Sequence, residues 1–305
     1  RTHNPEFTVM EIYVAYKDYN WMMSFVENML ERVTTEVLGK TMATIGTKEI
    51  DFKAPYARVP ILKAIEEHTG HNLLGKSENK TREIARSLGL EVDETMGYGK
   101  LVDEIFGEKC EHNYIQPTYI TDYPVEMSPL CKKHREDDRL TERFELFING
   151  KEVANAYSEL NDPIDQRERF EEQMRLSEKG DDEAMFIDQD FLRALEYGMP
   201  PTSGLGIGID RLTMMLTNQS SIQEVLFFPQ MRPEKFEVAP KPADFVKIGV
   251  AEIWAEHVIA AGYANVAALR EAKPTAVHQK LNGYRKKNKL EIPALQLDEV
   301  EKWFA

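Results

Sequence analysis

The sequence has little cysteine and no long apolar run. Only Cys110 and Cys131 occur in 305 residues, without a CxxC pair or a Cys/His cluster, so they read as reduced structural thiols, not a zinc site or a disulfide framework. His68, His71 and His112 also lack the spacing of metal ligands. No stretch of eighteen apolar residues occurs and no signal-peptide pattern opens the chain, which predicts a soluble, cytoplasmic protein with no membrane partner. Basic charge is short as well, at 38 Lys/Arg against 52 Asp/Glu and a net charge of −14. The deficit is uneven: residues 1–235 carry −15, whereas residues 236–305 carry ten basic and nine acidic residues. An acidic body excludes broad non-specific nucleic-acid binding but leaves room for a local basic patch.

Against these absences stands a 42% hydrophobic content, enough to bury one large domain plus an appendage. The densest pattern is Gly204-Leu-Gly-Ile-Gly-Ile-Asp-Arg211 followed by Leu212-Thr-Met-Met-Leu216. Glycines at alternate positions fit an extended segment that another backbone or a ligand approaches closely, and the Leu/Met run reads as a helix. The run is neither a G-x-G-x-x-G nor a P-loop. It places Arg211 at a strand-to-helix junction.

Residues Thr8–Tyr16 are rich in β-branched and aromatic side chains and predict a strand. Alternation puts Phe7, Val9, Glu11 and Tyr13 on one face. An acid and a phenol among apolar neighbours form either a hydrogen-bonded core pair or the floor of a pocket. Asn149-Gly150 between two alternating runs predicts a two-residue hairpin, since both turn positions need positive φ. Its register would set Ile148 against Lys151, Phe147 against Glu152 and Glu145 against Ala154. Glu145 and Glu152 are then diagonal neighbours on one face, paired with basic side chains or sharing a divalent cation, and hard oxygen ligands suit Mg²⁺ better than zinc. Asn155, Tyr157 and Glu159 share a face that strict pleating makes opposite to that of Glu152. A bulge near Ala154 would bring them all to one site, and an unbroken ladder from Lys151 to Leu160 would count against it.

A helix over 19–38, capped by Asp18 and stopped at Gly39, and further helices over 60–68, 79–88 and 99–108 follow from spacing and capping. A short strand is predicted at 48–52 and another near 115–124. Lys132–Arg139 reads as a solvated charged loop, the segment 162–179 as an exposed charged helix and 188–197 as a helix.

Several of these stretches carry a resemblance. Gly204–Arg211, with Val225-Leu-Phe-Phe-Pro229 and Arg232-Pro233, resembles motif 3 of the class II aminoacyl-tRNA synthetases. Thr2-His-Asn-Pro-Glu-Phe-Thr8 with Glu11 and Tyr13 resembles the second half of motif 2 of the lysyl-tRNA synthetases. The resemblance covers residues 2–235 and extends to Ser158-Glu-Leu-Asn-Asp162. It implies an α+β fold, an antiparallel sheet flanked by helices. It implies that Arg211 is a catalytic group gripping the γ-phosphate of ATP, with His3, Asn4, Phe7 and Glu145 also in the ATP site. Glu145 and Glu152 would bind Mg²⁺, and Glu11, Tyr13, Asn155, Tyr157, Glu159 and Gly206 would contact lysine. Glu159 with Tyr13 is our choice for the ε-ammonium, although the residues alone do not assign each acid to an ammonium.

The implied activity is ATP-dependent activation of L-lysine and its transfer to the 3′ end of tRNA(Lys). The first half of motif 2, motif 1 and the family's anticodon-binding barrel are not in the sequence. The expectation is therefore a C-terminal part of a longer homodimeric protein, touching tRNA mainly through other parts and possessing little activity alone. A lysine-activating paralogue with a protein acceptor, or a non-catalytic binding module, are the alternatives. Beyond residue 235 the resemblance ends. Residues 236–243 read as a linker and 244–305 as a small all-α domain, with helices over 244–260, 262–273, 274–289 and 297–304. Its shape is weakly similar to helix-hairpin-helix modules, and Arg285-Lys-Lys-Asn-Lys289 reads as a solvated helix end with RNA contact as the rival.

Overall fold

The computed structural model describes residues 4–178, 187–230 and 241–304. The chain divides into two compact units, residues 1–230 and 231–305. His3, Arg232, Pro233 and most of the expected linker lie outside the described residues.

The first unit runs β1 (Val9–Ala15), α1 (Tyr19–Leu38), β2 (Met42–Ile45), β3 (Lys48–Asp51), β4 (Ala57–Pro60), α2 (Ile61–Thr69), α3 (Glu78–Ser87), α4 (Tyr98–Lys109), β5 (Thr118–Thr121), β6 (Arg143–Ile148), β7 (Lys151–Ser158), α5 (Pro163–Glu178), α6 (Gln189–Glu196), β8 (Thr202–Gly208) and α7 (Ile209–Leu216). A six-stranded sheet has the order β1-β8-β7-β6-β5-β4, antiparallel except for the β4–β5 pair. β2 and β3 form a separate hairpin.

The helix α1 forms where its sequence asks for it. The Asp18 side chain accepts from the Trp21 N–H, and Gly39 closes the last turn in the left-handed region, which only glycine enters without steric cost. Its buried stripe of Met22, Met23, Val26 and Leu30 packs on one face of the sheet against Leu146, Ala154, Ala156, Leu205 and Ile207. Tyr119 Oη donates to the Met23 carbonyl at 2.8 Å, and the Tyr19 N–H donates to Ser158 Oγ at 3.1 Å. Those bonds fix the helix on the sheet, so only the other sheet face of the central strands can hold a ligand. A second core joins α2, α3 and α4 around Ile65, Ile105 and Phe106, with Ile120 and Phe147 from the sheet.

The structure departs from expectation at two helices. The helix α5 is not simply exposed, because Gln166, Arg169 and Phe170 are buried. Arg169 is paired with Asp165 at 2.9 Å and donates to the Ser128 carbonyl, and this intrahelical pair keeps the segment polar in sequence while it packs. The expected single helix over 244–260 is two, α8 (Pro242–Val246) and α9 (Glu252–Ala260). Gly249, at φ +95°, breaks it where a side chain could not follow. The second unit continues with α10 (Val266–Arg270), α11 (Pro274–Lys287) and α12 (Leu297–Glu301). These helices enclose a core of their own around Phe245, Trp254, Leu269, Leu281 and Trp303.

Candidate active site

The site is built by rows across four strands. The Asn149-Gly150 turn has both residues at positive φ, 54° and 65°, and opens the ladder with Ile148 opposite Lys151 and Phe147 opposite Glu152, as expected. One residue further the register shifts: Leu146 faces Ala154 and Glu145 faces Asn155, so the expected Glu145–Ala154 pairing is corrected. Val153 is the extra residue, and both Val153 and Ala154 are buried. The bulge turns Glu152, Asn155, Tyr157 and Glu159 to one face, as a shared site required.

The first row runs Glu145, Asn155, Gly206 and Glu11; the second runs Arg143, Tyr157, Gly204 and Tyr13. The intervening residues Leu205, Ile207, Ala154 and Ala156 point into the core behind the sheet. Gly204, Gly206 and Gly208 therefore give the site a floor without side chains. At Gly204 the absence of a side chain is what lets Glu159 lie where it does, since a Cβ there would overlap Glu159 Oε1 and come within 2.9 Å of the Tyr13 ring. At Gly206 the nearest atom to a Cβ would be the Asn155 carbonyl at 4.0 Å.

Around this floor the polar groups are arranged by charge. Tyr13 Oη donates to Glu11 Oε2 at 3.3 Å. Glu11 and Tyr13 lie on the solvent-facing side of β1, so they are not a buried core pair. Burial, then the charges of Glu11 and Glu159, raise the Tyr13 phenol pKa, so it stays a neutral donor. Burial alone pushes Glu159 up to about 7, because a low-dielectric wall disfavours an unpartnered carboxylate. Glu152 is also pushed up to about 7, first by burial and then by the neighbouring charge of Glu145. A cation at either acid would relieve that cost.

Arg143 was not singled out from the sequence, yet it ties the site together. It donates to Glu145 Oε1 at 2.6 Å, to Asn155 Oδ1 at 3.3 Å, to the Met127 carbonyl at 2.8 Å and to Ser128 Oγ at 3.1 Å. Its guanidinium lies 4.5 Å over the Tyr123 ring. Asn155 Nδ2 in turn donates to Glu145 Oε1 at 3.2 Å. The available signal was its position two residues before Glu145, on the same strand face. Asp210 was also missed. It accepts from the Thr8 N–H and so fastens the start of α7 to the segment leading into β1.

Arg211 extends from the first turn of α7 and donates to the Glu152 carbonyl. It borders two cavities. One, of about 360 Å³, is lined by Asn4, Phe7, Glu152, Asn155, Gly206 and Arg211. The other, of about 890 Å³, is lined by Glu145, Glu152, Arg211, Lys48 and Lys151. Phe7 is 62% exposed, a bare ring beside the first cavity. Among the described residues no group of three or more His, Cys, Asp or Glu side chains could hold a metal. The Glu145/Glu152 pair thus suits a cation whose other ligands are phosphate oxygens and water, as Mg²⁺ prefers. Both thiols are buried and their pKa values are pushed up to about 12, which fits structural cysteines.

The family model of the class II tRNA synthetases (D, K and N) matches residues 1–232. The chain belongs to that family. Its fold, a largely antiparallel sheet flanked by helices, is the one expected of a class II synthetase. It is 64% identical over 303 residues to a lysine–tRNA ligase of Porphyromonas gingivalis strain W83, covering 99% of this chain and 52% of that protein. It is 71% identical over 235 residues to a lysine–tRNA ligase of Christiangramia forsetii, covering 77% of this chain and 41% of the relative. A lysine–tRNA ligase of Azobacteroides pseudotrichonymphae is 67% identical over 237 residues, 78% of this chain and 47% of its own length. The chain spans about half the length of the curated relatives it matches, or less. The Porphyromonas likeness runs through the helical unit. No helix among the described residues is long and apolar enough to cross a membrane.

Proposed function

We propose that the chain carries the lysine-activating site of a lysine–tRNA ligase. The observation that carries this reading is the acidic, aromatic-walled face over a floor of glycines. Glu159 sits beside Tyr13 and Tyr157, and its raised pKa marks a carboxylate lacking a cation. The ε-ammonium of lysine supplies that charge, its aliphatic stem packs on Tyr157, and Glu11 with Asn155 receives the α-amino end. Gly206 leaves room for the substrate backbone. An aspartate side chain would put like charges together and be rejected.

ATP enters beside Phe7 and Asn4, with Arg211 on the γ-phosphate through its planar, permanently charged fork. His3, outside the described residues, belongs to the same reading. Glu145 and Glu152 would hold Mg²⁺, which when bound neutralises polyphosphate charge. Asn155 and Arg143 orient Glu145, and the bulge at Val153 sets Glu152 beside it. The lysine carboxylate then attacks the α-phosphorus in line, the bond to pyrophosphate breaks, and lysyl-adenylate forms. The acyl group passes to the 3′-terminal hydroxyl of tRNA(Lys) with release of AMP. Holding both reactants in one rigid sheet supplies much of the rate gain through orientation.

The test is ATP–pyrophosphate exchange by the full-length protein, with lysine and with aspartate as the amino acid. Lysine-dependent exchange is expected. Exchange with neither, or with aspartate instead, would sink the reading.

A further inference from the structure

The described residues that line the candidate site all belong to the first unit, and the charge of the helical unit differs from that of the body. Between Glu271 and Glu291 lie six basic residues and no acid, and α11 occupies most of that stretch. Lys273 at its N-terminal boundary, Lys280 and Lys287 recur every seven residues, a spacing that drifts only about 20° per heptad around a helix. They therefore share one flank, beside the buried face of Val277 and Leu281. All three are exposed. The steps between them on that flank are Ala276 and Gly283, both exposed, and a Cβ at Gly283 would meet nothing within 4 Å. The result is a smooth cationic strip about 21 Å long at about 1.5 Å per residue.

Stability does not account for it. Lys273 stands at the positive end of the helix dipole with no acid in the first turn, where a cation is unfavourable. Among the described residues none of the three lysines has a carboxylate within ion-pair distance. Ion pairs among the described residues of this unit include Lys247–Asp244 and Lys302–Asp298, both away from the strip's sequence. Lys280 is held instead over the buried Tyr263 ring, 4.4 Å from its centroid, which keeps its charge in place without cancelling it.

We propose that this strip of α11 binds the phosphate backbone of an RNA. A ribbon of fixed, unneutralised cations separated by small residues fits a repeating polyanion, and the first unit, at −16 over residues 1–230, offers no such field. Among the described residues the large exposed apolar side chains of the unit, Ile253 and Leu297, lie on α9 and α12. The helix α11 itself exposes no large apolar side chain among the described residues, which favours a polyanion over a lipid surface. The choice of RNA rests on the reading that the protein charges a tRNA.

The experiment measures binding of a labelled tRNA(Lys) transcript to the full-length protein over a range of salt. It compares wild type with a strip variant, Lys273→Gln/Lys280→Gln/Lys287→Gln, and with a variant of equal charge in the same unit, Lys241→Gln/Lys247→Gln/Lys302→Gln. Losing three phosphate contacts should weaken binding about tenfold or more at about 0.15 M salt and reduce the slope of log K against log salt by about two to three. The second variant should keep the wild-type slope, and lysine-dependent exchange, which needs no tRNA, should be unchanged in both. Unaltered RNA affinity in the strip variant, or equal losses in both, would overturn the proposal. So would strip-dependent binding to vesicles of anionic lipid with tRNA binding intact. Absent exchange in wild type would fail the activation reading alone, leaving the RNA slopes to decide the strip.

Discussion

At the scale of the residue, Glu159 makes the site's chemistry visible as a pH dependence. Free glutamate titrates near 4.3, and burial raises this one to about 7. In the empty site near neutral pH the carboxyl is thus partly protonated, whereas a bound ammonium requires it charged. Binding must expel the proton, so lysine affinity should fall about tenfold for each pH unit below about 7 and level off above it. Stability runs the other way. A raised folded-state pKa favours the fold below the ordinary carboxylate range, and that contribution is lost as pH rises through about 7. Burial and the neighbouring charge of Glu145 push Glu152 into the same window, but the proposed reading sets it against Mg²⁺ and not against the lysine ammonium. The expected outcome in the full-length protein is a lysine KM that climbs from about pH 8 down to about pH 5.5. Glu159→Gln should flatten that slope and lower kcat/KM by on the order of a hundredfold, the cost of leaving one member of a buried charge pair unmatched. A wild-type KM independent of pH would remove Glu159 from the ammonium subsite.

At the scale of the element, β8 separates two uses of glycine that look alike in sequence. Gly204 and Gly206 both face the site, yet only Gly204 has Glu159 and Tyr13 pressed against it. Gly204→Ala should displace Glu159 and cost kcat/KM for lysine on the order of a hundredfold. Gly206→Ala should fold as well as wild type or about 0.5 kcal/mol better, because alanine loses less backbone entropy in a strand. Its methyl group projects into the small cavity, so lysine KM should rise about tenfold. Steady-state exchange kinetics beside a thermal melt for each variant distinguishes the two; equal behaviour would refute the floor assigned to Gly206.

The same strand shows what was legible beforehand. Local chemistry was readable: the Asp18 cap, the Gly39 stop and the Asn149-Gly150 turn each act within a few residues, and each lies where expected. The need for a bulge near Ala154 was readable too, from the mismatch between Glu152 and Asn155, but not that Val153 is the extra residue. Nothing in Glu-Val-Ala-Asn distinguishes the extra residue, and packing of Val153 and Ala154 against the core decides it. Arg143 escaped notice because its partners, Met127, Ser128 and Asn155, come together only through the sheet order.

At the scale of the whole molecule, the two units have separate hydrophobic cores, and the tryptophans are divided unequally between them. Trp254 and Trp303 are buried in the helical unit, while Trp21 lies on α1 in the first unit. Tryptophan emission therefore reports chiefly on the helical unit, and far-ultraviolet circular dichroism chiefly on the larger sheet-bearing one. Ligands that bind only the folded site stabilise the unit that carries it. Lysine and ATP at about a hundred times their Kd contribute about 2.7 kcal/mol, which for a unit of roughly this size shifts the midpoint by about 5–10 °C. The shift is expected in the dichroism transition and not in the tryptophan transition. If both move together by the same amount, the units unfold as one cooperative body despite their separate cores. Gln variants in the α11 strip would then have to be read for effects on the activation site as well as on RNA.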